Sequence, residues 1–278
     1  MQCPTIFSAE SLEELIALVK NISSSRPLTI WRGQADSLWR LESSLERSLA
    51  WHGSATLSDR VVRCMKIGER SLELALIPAL RTALSSKGIP LDFSDEELLN
   101  SPEHMNKLLS FGQHYGLYTS LIDFTSRWQV ALFFAAESAH FAGSASTNCF
   151  ALWGISSSEF EQALKPGHKL EITCSKGSYC SERLVAQSGL FAQTFKIGDA
   201  ATDHWDRFLV RPNEAIDRLK IQQGKEPLVK IEIPSKLKWQ VLCWLLEDGV
   251  DWRSLFPDIE GLLRHQNLVA QHDSYGSF

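Results

Sequence analysis

The sequence predicts a single α+β domain, a small mixed sheet flanked by helices, and three observations carry that expectation. Leu228-Val-Lys-Ile-Glu-Ile-Pro234 alternates as a half-buried strand does, while Gln129-Val-Ala-Leu-Phe-Phe-Ala-Ala136 has no polar face beyond its first residue and reads as a buried helix. No internal repeat, low-complexity tract or long linker divides the chain. The expected organisation is an N-terminal helix and connector over 1–27, one domain over 28–265 and a tail over 266–278.

Taken in order, Ser11-Leu-Glu-Glu14 has the spacing of a capping box, and Leu12, Leu15, Ile16, Leu18 and Val19 give a first amphipathic helix ending near Asn21. Ser23 to Pro27 connects it to Leu28-Thr-Ile-Trp31, a short buried strand stopped by Arg32-Gly-Gln-Ala-Asp36. Trp39 to Arg47 is short and mixed, and Trp51 to Thr56 reads as a loop. Ser58 to Ala83 is a long helical pattern in which Pro78 predicts a kink or break. Lys87 to Pro90 turns the chain, Ser94 to Glu97 is another capping box, and Ser101-Pro102-Glu103 opens a helix through Leu109 that delivers Gln113, His114 and Tyr115.

Leu117 to Phe124 is strand or extended chain. Ser126 is placed to cap the apolar helix, which is expected to stop at Gly143. Asn148 to Ile155 is a strand, Ser156 to Leu164 a short helix, Lys165 to His168 a turn and Lys169 to Thr173 a strand. Arg183 to Phe195 alternates weakly and reads as strand, with Gly189 where a ligand or another backbone passes close. Ser235 caps a helix from Lys236 to Glu247, and Leu255 to Leu263 is a Pro-initiated helix.

Of the 278 residues 44% are apolar, with nine Trp and fourteen Phe, enough for a sizeable core. The 28 Lys and Arg against 33 Asp and Glu leave five net negative charges and no basic run, so no strong nucleic-acid footprint is expected. No apolar run approaches the roughly 20 residues of a membrane span, and Met1 to Thr5 lacks the features of a secretory signal. A cytoplasmic protein without membrane contact is expected. The six cysteines form no Cys-x-x-Cys pair and read as reduced thiols; His168, Cys174 and Cys180 match no zinc spacing, so no metal is assigned.

Two stretches concentrate polar groups among apolar neighbours. One is Gln113-His-Tyr-Gly-Leu-Tyr-Thr-Ser-Leu-Ile-Asp-Phe-Thr-Ser-Arg-Trp128. The other is Arg32-Gly33-Gln34 at the end of a strand, where a forked planar cation beside a permissive Gly suits a phosphate or carboxylate. The alternative for Arg32 is an internal carboxylate such as Asp123, which would lock two elements together.

These residues carry a resemblance. Trp31-Arg-Gly-Gln34, Gln113 to Thr125 with its Ala-Leu-Phe-Phe-Ala helix, Arg183-x-x-x-Gln-x-Gly-Leu-Phe191 and Leu-Phe-Pro-Asp-Ile-Glu-Gly261, in that order, resemble the FRG domain, with Trp31 in place of its Phe. That family occurs in bacterial and phage proteins, some tied to defence against phage. Its order of parts is similar to that of ADP-ribosyltransferases. The resemblance implies an ADP-ribosyltransferase-like fold and a dinucleotide ligand, NAD, as substrate for ADP-ribose transfer or NAD hydrolysis. It also implies a toxin or phage-defence role, with a macromolecular acceptor or an antitoxin as partner.

Residue by residue, the resemblance makes Arg32 the phosphate or ribose clamp and Thr119 or Ser120 the hydroxyl of the second strand. Polarity beside apolar strand and helix residues sets Gln34, His114, Tyr115 and Asp123 in the same cavity, with Thr125, Arg183 and Gln187 around the nucleotide, and Arg32, His114 and Asp123 are of suitable types to be the chemically active set. Gln187-Ser-Gly189 has Gly where a Gln-x-Glu pattern would put a catalytic carboxylate, which leaves Asp123 as the substitute or the activity absent. Three readings stay open: an NAD-consuming enzyme, a binding module without turnover, and a purely structural Arg32–Asp123 pair. No Gly-x-Ser-x-Gly elbow or Walker loop supports a hydrolase or kinase.

Overall fold

The computed structural model describes residues 4–26, 29–51, 71–86, 88, 94, 96–97, 101–114, 116–139, 148–174, 181–197, 207–222 and 224–275. In chain order these form β1 (Thr5–Ser8), α1 (Leu12–Ser25), β2 (Thr29–Gln34), α2 (Ser44–Trp51), α3 (Ser71–Ser86), α4 (Pro102–His114), β3 (Ile122–Thr125), α5 (Trp128–Ser138) and β4 (Cys149–Ser156). There follow α6 (Ser157–Ala163), β5 (His168–Thr173), α7 (Glu182–Ala186), β6 (Gly189–Ile197), β7 (Arg207–Leu209), α8 (Pro212–Ala215), β8 (Leu228–Pro234), α9 (Lys238–Glu247), α10 (Trp252–Leu255) and α11 (Ile259–Tyr275). This is an α+β architecture around one mixed sheet.

The strand order is β1-β8-β4-β2-β3-β6-β5, with β7 on the far end of β6. The β1–β8 pair is parallel and every other pair antiparallel. β2 runs in register with β4 along its whole length, from Thr29↔Ser156 to Gln34↔Ala151. Against β3 it makes a single pair, Trp31↔Thr125, and beyond it the two strands part. The sheet is therefore opened at its middle.

The apolar helix behaves as its composition dictates. Val130, Leu132, Phe133, Ala135 and Ala136 of α5 are fully buried, between the sheet and a layer containing α1, α9 and α10. Each large side chain so buried contributes about 1.5 to 3 kcal/mol. Gly33 allows the closest approach: a Cβ there would lie 2.0 Å from the carbonyl oxygen of Ala131 and 2.7 Å from the amide nitrogen of Ala135. The opposite face carries a second cluster, with Ile30, Ile122, Phe124, Trp153, Ile155 and Phe160. Leu108, Leu109 and Leu121 join Phe191 in a third.

Several local expectations need correction. The Arg183–Gln187 segment is not strand: Ser181 caps a short helix there, its hydroxyl accepting from the Leu184 amide at 3.1 Å, and β6 begins only at Gly189. Ser126 does not cap α5; the residue before that helix is Arg127, which makes no side-chain cap bond. The last helix does not start at Pro257, because Asp258 takes the capping position and accepts from the Gly261 amide at 3.0 Å. Pro78 lies inside a continuous α3. The helix α2 arises in the stretch read as mixed, and its signal is present: Ser43 and Glu46 form a reciprocal capping box. The apolar helix stops short of Gly143: α5 ends at Ser138, where Ala139 turns extended and its amide donates to the Ala136 carbonyl. The expected helix over 58–70, the turn at Lys87 and Cys180 lie outside the described residues.

Candidate functional site

The parting of β2 from β3 sets the geometry. Trp31 and Thr125, directly paired, share the face toward α5, and alternation puts Asp123 and Gly33 there too, with Arg32 on the other. Where the backbone ladder stops, the Arg32 side chain replaces it. Its Nη1 donates to the Asp123 carbonyl oxygen at 2.9 Å and lies 3.4 Å from the Asp123 carboxylate.

A cavity of about 430 Å³ opens at this point. Arg32, Gln113, Asp123 and Arg183 give it polar groups, and Phe134 and Phe256 give it aromatic wall. The two sides of the ion pair differ. Arg32 is only 15% exposed, with a buried Nε that has no hydrogen-bond partner, whereas the Asp123 side chain is 60% exposed. Burial pulls the Arg32 pKa below its usual value, Asp123 opposes the fall and the nearby charge of Arg47 adds to it. An incompletely satisfied buried guanidinium is costly to keep and gains from an anion.

Arg183 enters from α7. Its guanidinium holds Asp258 at 2.6 Å and Glu260 at 2.9 Å and lies 4.9 Å over the Phe256 ring, clasping α7 to the α10–α11 junction. Desolvation is the largest influence on its pKa and lowers it, but the hydrogen bonds to Asp258 and Glu260 outweigh that and raise it overall. Asp258, held by the Gly261 amide and then by Arg183, stays below the usual carboxylate range.

Of the candidates from sequence, Arg32, Asp123, Thr125, Arg183 and Gln187 all border the cavity. Thr125 and Gln187 do so already engaged: the Thr125 hydroxyl donates to the Gln187 carbonyl at 2.7 Å, and the Gln187 amide donates to the Leu255 carbonyl at 3.2 Å. Three others are turned to structural duty. Gln34 is buried, accepting from the Trp153 indole at 2.8 Å and donating to the Arg40 carbonyl at 2.9 Å. Ser120 is buried and accepts from the Gln193 amide at 2.8 Å. Thr119 is fully buried, and its amide donates to the Ser44 hydroxyl at 3.0 Å. None of the three borders the cavity, because each is held by partners on neighbouring elements. The His114 side chain and Tyr115 lie outside the described residues.

Three further residues shape the site without a functional signature of their own in the sequence. Gln113 was visible as the head of the polar stretch, and its amide donates to Asp123 at 2.5 Å. Phe134 was hidden in an Ala- and Phe-rich helix that reads as core. Phe256 belongs to a loop whose return to the sheet is set by the Arg183 clasp, a contact no local pattern announces.

The fold and the site together define an α+β protein with a ligand-sized cavity at an opening in its sheet. The family model of the FRG domain matches residues 28–142, so the chain carries an FRG domain from β2 through α5. That span holds Arg32, Gln113 and Asp123 and stops short of Arg183 and Gln187, which the motif resemblance had included. No curated protein and no solved structure matches the chain. Among the described residues no helix is long and apolar enough to cross a membrane, and no group of three or more His, Cys, Asp or Glu is arranged to hold a metal ion.

Proposed function

We propose that the cavity binds a dinucleotide, that NAD is the ligand, and that the protein breaks its nicotinamide–ribose bond in the manner of ADP-ribosyltransferases. The observation that carries this reading is the facing of Arg32 and Asp123 at the opening, one a buried cation with an unpaired donor and the other an accessible carboxylate. A cavity of about 430 Å³ is of small-molecule size, within the roughly 300 to 1,000 Å³ typical of such sites. Its aromatic walls suit a planar ring, and Arg32 suits a phosphate.

In this reading the glycosidic C–N bond breaks with its electron pair leaving on the nicotinamide nitrogen. Asp123 supports the positive charge developing on the ribose or orients a ribose hydroxyl, and Phe134 and Phe256 keep competing water out. Water or an acceptor nucleophile then attacks the ribose carbon and gives up a proton. His114 and Tyr115 are retained as polar groups of suitable type next to the apolar strand in sequence. An activity that drains NAD or marks a macromolecule suits a toxin or phage-defence effector restrained by an antitoxin.

A specific observation favours a second reading, binding without turnover. At Gly189, where the Gln-x-Glu pattern would place its carboxylate, there is no side chain at all, and a Cβ would come within 2.2 Å of Leu184 Cδ1, so an acidic residue there would require the Leu184 side chain to move aside. Incubation with NAD separates the two. Free nicotinamide should appear by chromatography, and Arg32→Met should cut its release by about 10- to 100-fold, the worth of one charge-assisted contact, while Asp123→Asn binds NAD and turns it over only at a small residual rate. Absence of release from the wild type, with NAD still raising its Tm, refutes the enzyme and leaves the binding module; NAD that does neither refutes both.

A further inference from the structure

Asp123 is held more tightly than its exposure requires. A carboxylate 60% open to solvent is satisfied by water, yet one oxygen takes the Gln113 amide at 2.5 Å and the other faces Arg32. Behind Gln113 stands Thr119, fully buried, whose hydroxyl bonds the Gln113 side-chain carbonyl oxygen. The Leu121 amide donates to that same hydroxyl at 3.3 Å, so the hydroxyl proton is directed to Gln113. This fixes the amide: its oxygen turns toward Thr119 and its NH2 toward Asp123. Thr119 in turn is anchored from α2, by the Leu45 amide to its carbonyl at 3.1 Å and by the Ser44 hydroxyl.

We infer that Gln113 is a positioning residue, whose amide, oriented by Thr119, aims the Asp123 carboxylate into the cavity. The inference rests on the proposed handling of NAD for its kinetic test but not for its structural one. Gln113 is not needed to bury Asp123 or to neutralise it, so what it adds is direction. Its loss should leave ligand capture largely intact and misplace the one carboxylate at the reacting end.

Nicotinamide release would be followed for Gln113→Ala, Thr119→Val, Asp123→Asn and the Gln113→Ala/Asp123→Asn double variant. Gln113→Ala should lower kcat by about 100-fold, as a misplacement near 1 Å does, with KM little changed. Thr119→Val should act in the same direction. The double variant should be no slower than Asp123→Asn alone, because Gln113 acts through Asp123. Multiplying losses, or equal changes in kcat and KM, would overturn the inference by marking Gln113 as structural. A second measurement needs no turnover: by NMR of the whole chain, one Gln113 side-chain amide proton should be shifted downfield and slow to exchange, and Asp123→Ala and Thr119→Val should each abolish that signature. An amide signal indifferent to both variants overturns the inference even in a wild type that releases nicotinamide. The signature in a protein that releases none supports it while refuting the enzyme.

Discussion

Gly33→Ala is the sharpest test of how the site is held. The added Cβ would sit 2.0 Å from the Ala131 carbonyl oxygen, 2.7 Å from the Ala135 amide nitrogen and 2.9 Å from the Ala135 Cβ, two backbone atoms of a buried helix and one methyl. No flexible side-chain end can yield. Restoring ordinary contact requires β2 and α5 to separate by about 1.4 Å, within a core whose packing resists such shifts. Overpacking of this kind costs roughly 1 to 3 kcal/mol and occasionally more. The upper figure fits an obstacle made of backbone, and it corresponds to a Tm lower by about 6 to 12 °C for a domain of this size. Because Arg32 directly precedes it, the same movement should loosen the Arg32 bond to Asp123 and weaken any nucleotide-induced rise in Tm. Thermal denaturation with and without ADP-ribose measures both effects. A fall of less than about 2 °C, with ligand response retained, would mean that the strand and helix are not in the contact from which the cavity wall is built.

Two further outcomes follow from buried charges. Lys238 closes the end of α5 by donating to the Glu137 carbonyl at 2.9 Å and the Ala139 carbonyl at 2.6 Å, and burial lowers its pKa. Lys238→Met should destabilise by about 1 to 3 kcal/mol, the cost of unpaired buried carbonyls, and an unchanged denaturant midpoint would contradict this. Glu46 has its pKa raised, chiefly by burial, against the lowering effect of Ser43 and Arg211. Its folded form therefore prefers the proton, so its contribution to stability is complete below the unfolded carboxylate value, about 4.3, and is lost as pH rises through the higher folded value. Glu46→Gln should flatten the pH profile of the denaturant midpoint in that window; parallel profiles would show that Glu46 does not titrate there.

What the sequence disclosed was local. The Ser94–Glu97 box is hydrogen-bonded as its spacing implies, and Ser11 accepts from the Glu14 amide. The alternation of Leu228 to Pro234 marked β8 correctly, although the strand lies between β1 and β4 and Leu228 to Ile231 are all buried, Lys230 included. β1 escaped notice because four residues, Thr5 to Ser8, carry too little pattern, and their parallel partner lies more than two hundred residues away. Arg183 to Gln187 was misread because a five-residue helix is shorter than the period needed to distinguish it, leaving Ser181 as its one legible signal.

The site divides the same way. Arg32 and Asp123 stood out as polar groups at strand positions, and they meet. Gln34, Thr119 and Ser120 looked equivalent to them, yet their partners come from Trp153, Ser44 and Gln193, which only the folded chain brings near. Polarity within an apolar stretch announces that a partner exists. It does not say whether that partner is protein or ligand.

The single backbone pair between β2 and β3 has a consequence for cooperativity. β1, β8, β4 and β2 form one hydrogen-bonded block and β3, β6, β5 and β7 another, joined by Trp31↔Thr125, by the Arg32 side chain and by α5 lying across both. Amide protons along this seam should exchange through openings that cost less than global unfolding, while those within each block report the full free energy. A ligand seated at the seam touches both blocks at once. Its binding would then act as a weld, drawing two partly independent exchange units toward one.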